Sequence, residues 1–138
     1  MKIIVCASML FSKEMQKIQK QLEFQGHDCI LPKGVSEYVD GTLKPTRGGE
    51  GAKRKIGNDL IRKHYEEIKN GDAVLVLNYT RDGIENRVGG NSFLEMGFAY
   101  ILRKPIFLLN PIPKLNLYEE EIIAMQPIIL HGDLSKIN

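Results

Sequence analysis

The sequence predicts a three-layer α/β/α fold built on a doubly wound sheet of about five parallel strands. Three observations carry this expectation. Apolar, β-branched runs such as "KIIVC" and "AVLVL" lack the polar alternation of a half-exposed strand, which is the pattern of strands covered on both faces. Between the runs lie segments with apolar residues at every third or fourth position, the spacing of amphipathic helices. Strands that alternate with helices imply βαβ units joined by right-handed crossovers.

The elements follow in order. Lys2 to Cys6 reads as the first strand; its apolar run is too short for a secretory leader and leads at once into a helical pattern. Phe11, Met15, Ile18 and Leu22 mark the first helix, with Ser12 near its N-cap and Gly26 closing it. Cys29 to Leu31 is a second strand ended by Pro32. The polar, glycine-rich stretch 33–55 reads as a segment without regular structure, a mobile loop or lid. From Ile56, the residues Leu60, Ile61, His64, Tyr65 and Ile68 mark a second helix that leads into the third strand, "AVLVLN". Ser92 to Arg103 is a nearly all-apolar helix, "KPIFLLN" a fourth strand ending at Asn110, and "PIILHGDL" a short fifth strand after a small acidic helix. The whole is Rossmann-like, in the flavodoxin-like variant, with residues 1–138 forming a single domain.

Composition narrows the function classes. With 43% hydrophobic and 26% charged residues the chain has the balance of a globular protein. A formal net charge of +2 gives no general attraction to nucleic acid, and no stretch is long enough to span a bilayer, so neither nucleic acid nor membrane is an expected partner and the location expected is cytoplasmic. The one basic cluster, Arg47 to Lys55, reads first as a solvated loop. It has neither the strand context nor the spacing of a P-loop, although Arg47, Lys53 and Arg54 could close over a phosphorylated ligand. Cys6 and Cys29 fall inside strand runs and read as buried thiols. Apolar residues on several faces of the 92–103 helix point to a homodimer or higher homo-oligomer.

In open sheets of this kind ligands bind beyond the carboxyl ends of the strands. That places Ser8 and Met9 after the first strand, Asn78 and Asp82 after the third, the turn Gly89, Gly90, Asn91 and Ser92 before the apolar helix, and Asn110 after the fourth strand near the site. Two glycines allow close approach of backbone to a ligand, and the helix N-terminus offers free N–H groups to an anion. Glu95 is the single carboxylate in the apolar stretch Val88 to Leu102. The spacing of Ser92 and Glu95 matches a capping box, in which the two side chains satisfy each other's backbone donors. A carboxylate facing the strand ends could instead act as a nucleophile or general base. His64, within a helical apolar stripe, reads as a hydrogen-bonded, half-buried histidine rather than a catalyst.

"GGNSFLEMGFAYILRKPIFLLN", preceded by "KIIVCAS" and "DAVLVLN", resembles the nucleoside 2-deoxyribosyltransferase family and its nucleotide N-glycosidase relatives. Those proteins carry a Gly-rich turn, a Glu-x-Gly-x-Ala helix and Gly-Lys-Pro before a strand; Glu95, Gly97, Ala99, Lys104 and Pro105 match. The resemblance implies that Glu95 attacks an anomeric carbon to give a glycosyl-enzyme intermediate, that the ligand is a nucleoside or nucleoside monophosphate, and that neither metal nor cofactor is needed. It implies Asn78 and Asp82 as further catalytic positions, with Asn78 and Asn91 positioning the sugar and Ser8 near its polar end. Where the family has acids, this sequence has Asn78 and Gly89, and where the family has an aromatic after the first strand it has Ser8 and Met9. The alternative is a non-catalytic nucleotide-binding or sensing module on the same scaffold. "GGNSFLE" is more distantly similar to the Gly-rich turn of the cytokinin-activating phosphoribohydrolases.

Overall fold

Strand β1 (Lys2–Cys6) pairs with a strand on each side, which buries four of its five residues. A computed structural model describes residues 1–44 and 50–138. After β1 the chain makes a 3-10 turn at Met9–Phe11 and enters helix α1 (Ser12–Phe24), which buries Ser12, Met15, Ile18 and Leu22 at helical spacing. Strand β2 (Asp28–Ile30) follows, then the short helix α2 (Val35–Asp40), α3 (Glu50–Asn58) and α4 (Leu60–Asn70). Strand β3 (Ala73–Val76), helix α5 (Gly90–Ile101), strand β4 (Ile106–Leu108), helix α6 (Glu119–Ala124) and strand β5 (Ile128–Ile129) complete the order.

All five strands are parallel and lie in the order β2-β1-β3-β4-β5. The register places Ile3 beside Ala73 and Val74 beside Ile106, so alternate residues of each strand feed two separate cores. Ile3, Val5, Leu75 and Phe107 pack on one side with Met15 and Leu22 of α1. Ile4, Cys6, Val74 and Leu108 pack on the other with Ile68 of α4, Met96 and Ala99 of α5 and Ile122 of α6. This double coverage is why the strands read as continuous apolar runs.

The stretch 33–55 differs from its expectation. Composition suggests an irregular loop, yet α2 and the start of α3 lie within it; Arg47 lies outside the described residues. Gly34 and Gly41, both with left-handed backbone, bracket α2 and supply the reversals that β-carbon-bearing residues resist. The expected second helix is two helices: Asp59, at φ 51°, interrupts the path between α3 and α4, a break that a non-glycine residue does not announce. Among the described residues no helix is long and apolar enough to cross a membrane.

Leu75 is fully buried at the centre of the sheet. Leu75→Ala should therefore lower the unfolding free energy by about 2–5 kcal/mol, the range for a large-to-small change in a packed core, as measured by denaturant titration.

Candidate active site

The sheet order reverses between β1 and β3, one chain direction leading outward to β2 and the other to β4 and β5. The carboxyl ends of these two neighbours diverge there and leave a crevice. A cavity of about 380 Å³ occupies it, floored by Ala7 to Phe11 after β1 and by Leu77, Tyr79 and Arg81 after β3. The turn Gly89–Ser92 forms one side, and residues of α3 and α4, including Leu60 and His64, form another.

Ser8 is fixed by local geometry. Its Oγ accepts from the Leu10 amide at 3.3 Å, capping the 3-10 turn, and from Arg81 Nη1 at 2.9 Å. Phe11 and Tyr79 meet with ring centroids 4.9 Å apart, and both line the cavity with Tyr38. The aromatic surface that the sequence lacks directly after β1 is thus supplied a turn later and from β3.

Asn78, Asp82 and Asn110 do not line the cavity. Asn78 is wholly buried. Its Nδ2 donates to the carbonyls of Asn110 at 2.9 Å and Pro111 at 3.0 Å, its Oδ1 accepts from the Asn110 amide at 2.9 Å, and Asn110 Nδ2 returns a bond to the Asn78 carbonyl at 3.2 Å. The amide group is required there, since a carboxylate has no donor to offer two carbonyls. The network ties the end of β3 to the end of β4. Asp82 is exposed on a residue at φ 52°, and its carboxylate takes Arg87 Nη1 at 2.6 Å and Arg81 Nε at 3.3 Å. It holds two guanidinium groups at the cavity's edge.

The capping box does not form. Helix α5 begins at Gly90 with Gly89 at the cap and no side-chain cap bond, while the Glu95 side chain turns inward and is 6% exposed. Glu95 Oε1 accepts from Asn91 Nδ2 at 2.9 Å, one turn earlier on α5, and lies 3.2 Å from His64 Nδ1 on α4. A carboxylate oxygen only accepts, so Nδ1 carries the proton of that bond. The buried Cys6 thiol also lies against the Glu95 carboxylate, and Glu95 is not itself among the residues that line the cavity. Glu95 itself stands immediately behind Asn91, Ser92 and His64, which line the cavity.

These contacts set the electrostatics. The hydrogen bond to Glu95 raises the His64 pKa above its ordinary 6.5; burial opposes the rise, and the charges of Glu95 and Glu67 add to it. Burial, and then the Glu95 charge, push the Cys6 thiol well above its usual range, which keeps it a neutral packing group at the end of β1. Lys33, Lys44, Arg54, Lys55, Arg81 and Arg87 all line the cavity, and among the described side chains no Asp or Glu does. Such a one-sided wall concentrates positive potential inside a crevice. Among the described residues no group of three or more His, Cys, Asp or Glu side chains is arranged to hold a metal ion.

Of the positions singled out in the sequence, Ser8, Met9, Gly89, Gly90, Asn91 and Ser92 come together in the cavity, with Glu95 at its back. Sequence reasoning missed His64 as a site residue. It also missed the wall made by Lys33, Lys44, Lys55, Arg81 and Arg87, because these residues are scattered over several segments.

Two solved structures share this fold. One is a 2-deoxyribosyltransferase from the psychrotolerant bacterium Bacillus psychrosaccharolyticus, 20% identical, with a TM-score of 0.52 over 94% of this chain and 98% of that one. The other is the CMP N-glycosidase BcmB of Clostridium botulinum, 15% identical, with a TM-score of 0.52 over 94% of this chain and 88% of that one. No family model matches the chain, and no curated protein matches it.

Two outcomes follow from the site's geometry. Asn78→Ala should cost about 1–3 kcal/mol, because it removes a wholly buried side chain and its bonds to the part-buried backbone of Asn110 and Pro111, a loss readable by denaturant titration. His64 has a folded-state pKa above its unfolded value, so its bond to Glu95 contributes fully below about pH 6.5, the unperturbed histidine value. That contribution fades as pH rises through the raised pKa. Denaturation midpoints of the wild type should fall across this window, whereas those of His64→Gln should not show the His64-linked fall.

Proposed function

We propose that the chain cleaves the N-glycosidic bond of a nucleoside 5′-monophosphate, with Glu95 as the nucleophile. The observation that carries this reading is a buried carboxylate, anchored through Oε1 by His64 and Asn91, directly behind residues that line a cationic and aromatic cleft. An anchored carboxylate is suited to attack an anomeric carbon, and its charge stabilises the oxocarbenium-like transition state. The cations favour a phosphorylated ligand. The N-terminal turn of α5 adds backbone N–H groups on the same side. Phe11, Tyr38 and Tyr79 offer ring faces to a base. The two structural neighbours, a 2-deoxyribosyltransferase and a CMP N-glycosidase, support the same chemistry on this scaffold. Ser8, Met9 and Gly89 to Ser92 are assigned to substrate binding.

In this mechanism Glu95 Oε2 forms a bond to C1′ as the bond from C1′ to the base nitrogen breaks, and the electron pair leaves with the base. Water, or a second base, then takes the sugar and regenerates the carboxylate. Asn91 holds Oε1 so that Oε2 faces the anomeric carbon. Asp82 acts at a distance, by keeping Arg81 and Arg87 at the cleft's edge. Asn78 and Asn110 act indirectly, by tying the end of β3 to the end of β4 behind the cleft.

A second reading is favoured by one observation: among the described side chains no Asp or Glu lines the cavity, so none of them offers a second carboxylic acid to the leaving base. On that reading the protein binds a nucleotide without turnover. Leu94, Tyr100 and Ile101 on α5 are exposed, and we assign this apolar face to a homodimer or larger homo-oligomer, to be tested by sedimentation equilibrium.

Incubating the protein with a panel of nucleosides and their 5′-monophosphates should release free base from the monophosphates, followed by chromatography, and Glu95→Ala should release none. Binding without release by the wild type, even with an acceptor base present, would establish the second reading. Arg54→Ala should raise KM for a monophosphate about 10-fold to 100-fold, the value of one charge-assisted hydrogen bond, and change KM for the matching nucleoside little.

A further inference from the structure

We propose that His64 is the proton donor to the departing base and, in the second step, the base that activates water. This rests on Glu95 being the nucleophile. The leaving base needs a proton as the C1′ bond breaks, because a nucleobase anion is a poor leaving group. His64 is the titratable group that both lines the cavity and touches Glu95. Its Nδ1 is committed to Glu95, and Nε2 makes no hydrogen bond to a described residue. The imidazole ring therefore joins two roles: one nitrogen orients the nucleophile and the other is open to the ligand.

The pairing also times the proton transfer. While Glu95 is ionised, its charge stabilises the imidazolium, and the hydrogen bond raises the His64 pKa. When Oε2 bonds to C1′, Glu95 becomes a neutral ester and that stabilisation disappears. The imidazolium becomes a stronger acid as the base nitrogen acquires its electron pair. The proton passes from Nε2 to the base, leaving His64 neutral. In the second step water attacks C1′, the bond to Oε2 breaks with its electrons returning to Glu95, and Nε2 takes the proton from water. The sum is nucleotide plus water giving sugar phosphate plus base, with Glu95 and His64 restored.

Other charged groups facing His64 come from each packed element. Glu95 faces it from α5 and Glu67 from α4 itself, both favouring the protonated form, while Lys33, from the segment after β2, opposes it. Cys6, which lies against Glu95 from β1, is held neutral by burial. The cavity-lining Arg54 and Lys55 of α3 add positive charge on the same side.

The test compares leaving bases that need the proton with those that need it less: guanine against N7-methylguanine, and uracil against 5-fluorouracil, as 2′-deoxynucleoside 5′-monophosphates. In the wild type, release of the ordinary base should fall as pH rises through the His64 pKa, and release of the N7-methylated base, which departs neutral without protonation, should lack that limb. His64→Gln should lose about 100-fold or more in kcat on the ordinary base, the range of general acid catalysis, and at least 10-fold less than that on the activated one. Equal losses on both, or a wild-type limb shared by both, would overturn the proton-donor role while leaving Glu95 as nucleophile. Failure of the wild type to release any of the four bases would overturn both assignments. The wild-type pH comparison stands even if the variant folds poorly.

Discussion

The pairing of β1 with β3 at the middle of a sheet buried on both faces is the constraint from which the site follows. Parallel strands bring all their carboxyl ends to one edge, and at this pair the connections depart in opposite directions. The residues that follow β1 and β3 cannot close over each other, so they line a crevice instead. Behind it, the buried Asn78 uses its amide to bind the end of β4, a structural joint between the two strand ends.

A second contact, between Glu95 and His64, carries the proposed chemistry. A carboxylate inside an apolar helix is costly unless the protein supplies the hydrogen bonds that water would have given. Asn91 supplies one along α5 and His64 another across to α4. Helix packing between α4 and α5 therefore orients the Glu95 carboxylate, the nucleophile of the proposed reaction. The same bond perturbs the imidazole, so stability and the protonation of His64 are linked through one contact. The cationic wall draws on residues from separate segments, and in the proposed function it is what favours a phosphorylated ligand.

Much of this was legible in the sequence because its causes are local. Burial on both faces writes a strand as an unbroken apolar run, which made β1 and β3 evident, and Gly89 to Ser92 stood out as a glycine-rich entry to a helix. What could not be read depends on packing. His64 lies 31 residues from Glu95, and nothing in the helical stripe of α4 says that one of its members meets α5. The capping box was a sound reading of spacing, but Ser92 lines the cavity and the Glu95 side chain bonds to Asn91 and His64 instead of the helix end. The helices within 33–55 were hidden by polar composition, and the left-handed Asp59 gave no sign of a break in the second helix.

The measurement that tests the central claim most directly is to trap the covalent intermediate. A 2′-fluoro-substituted nucleoside 5′-monophosphate slows both chemical steps by disfavouring the oxocarbenium-like transition state, so the sugar phosphate should accumulate on the protein. Peptide mapping by mass spectrometry should then find the adduct on Glu95 in the wild type and none in Glu95→Gln. Base release with no adduct, or an adduct on another residue, would contradict the assignment of Glu95 as nucleophile.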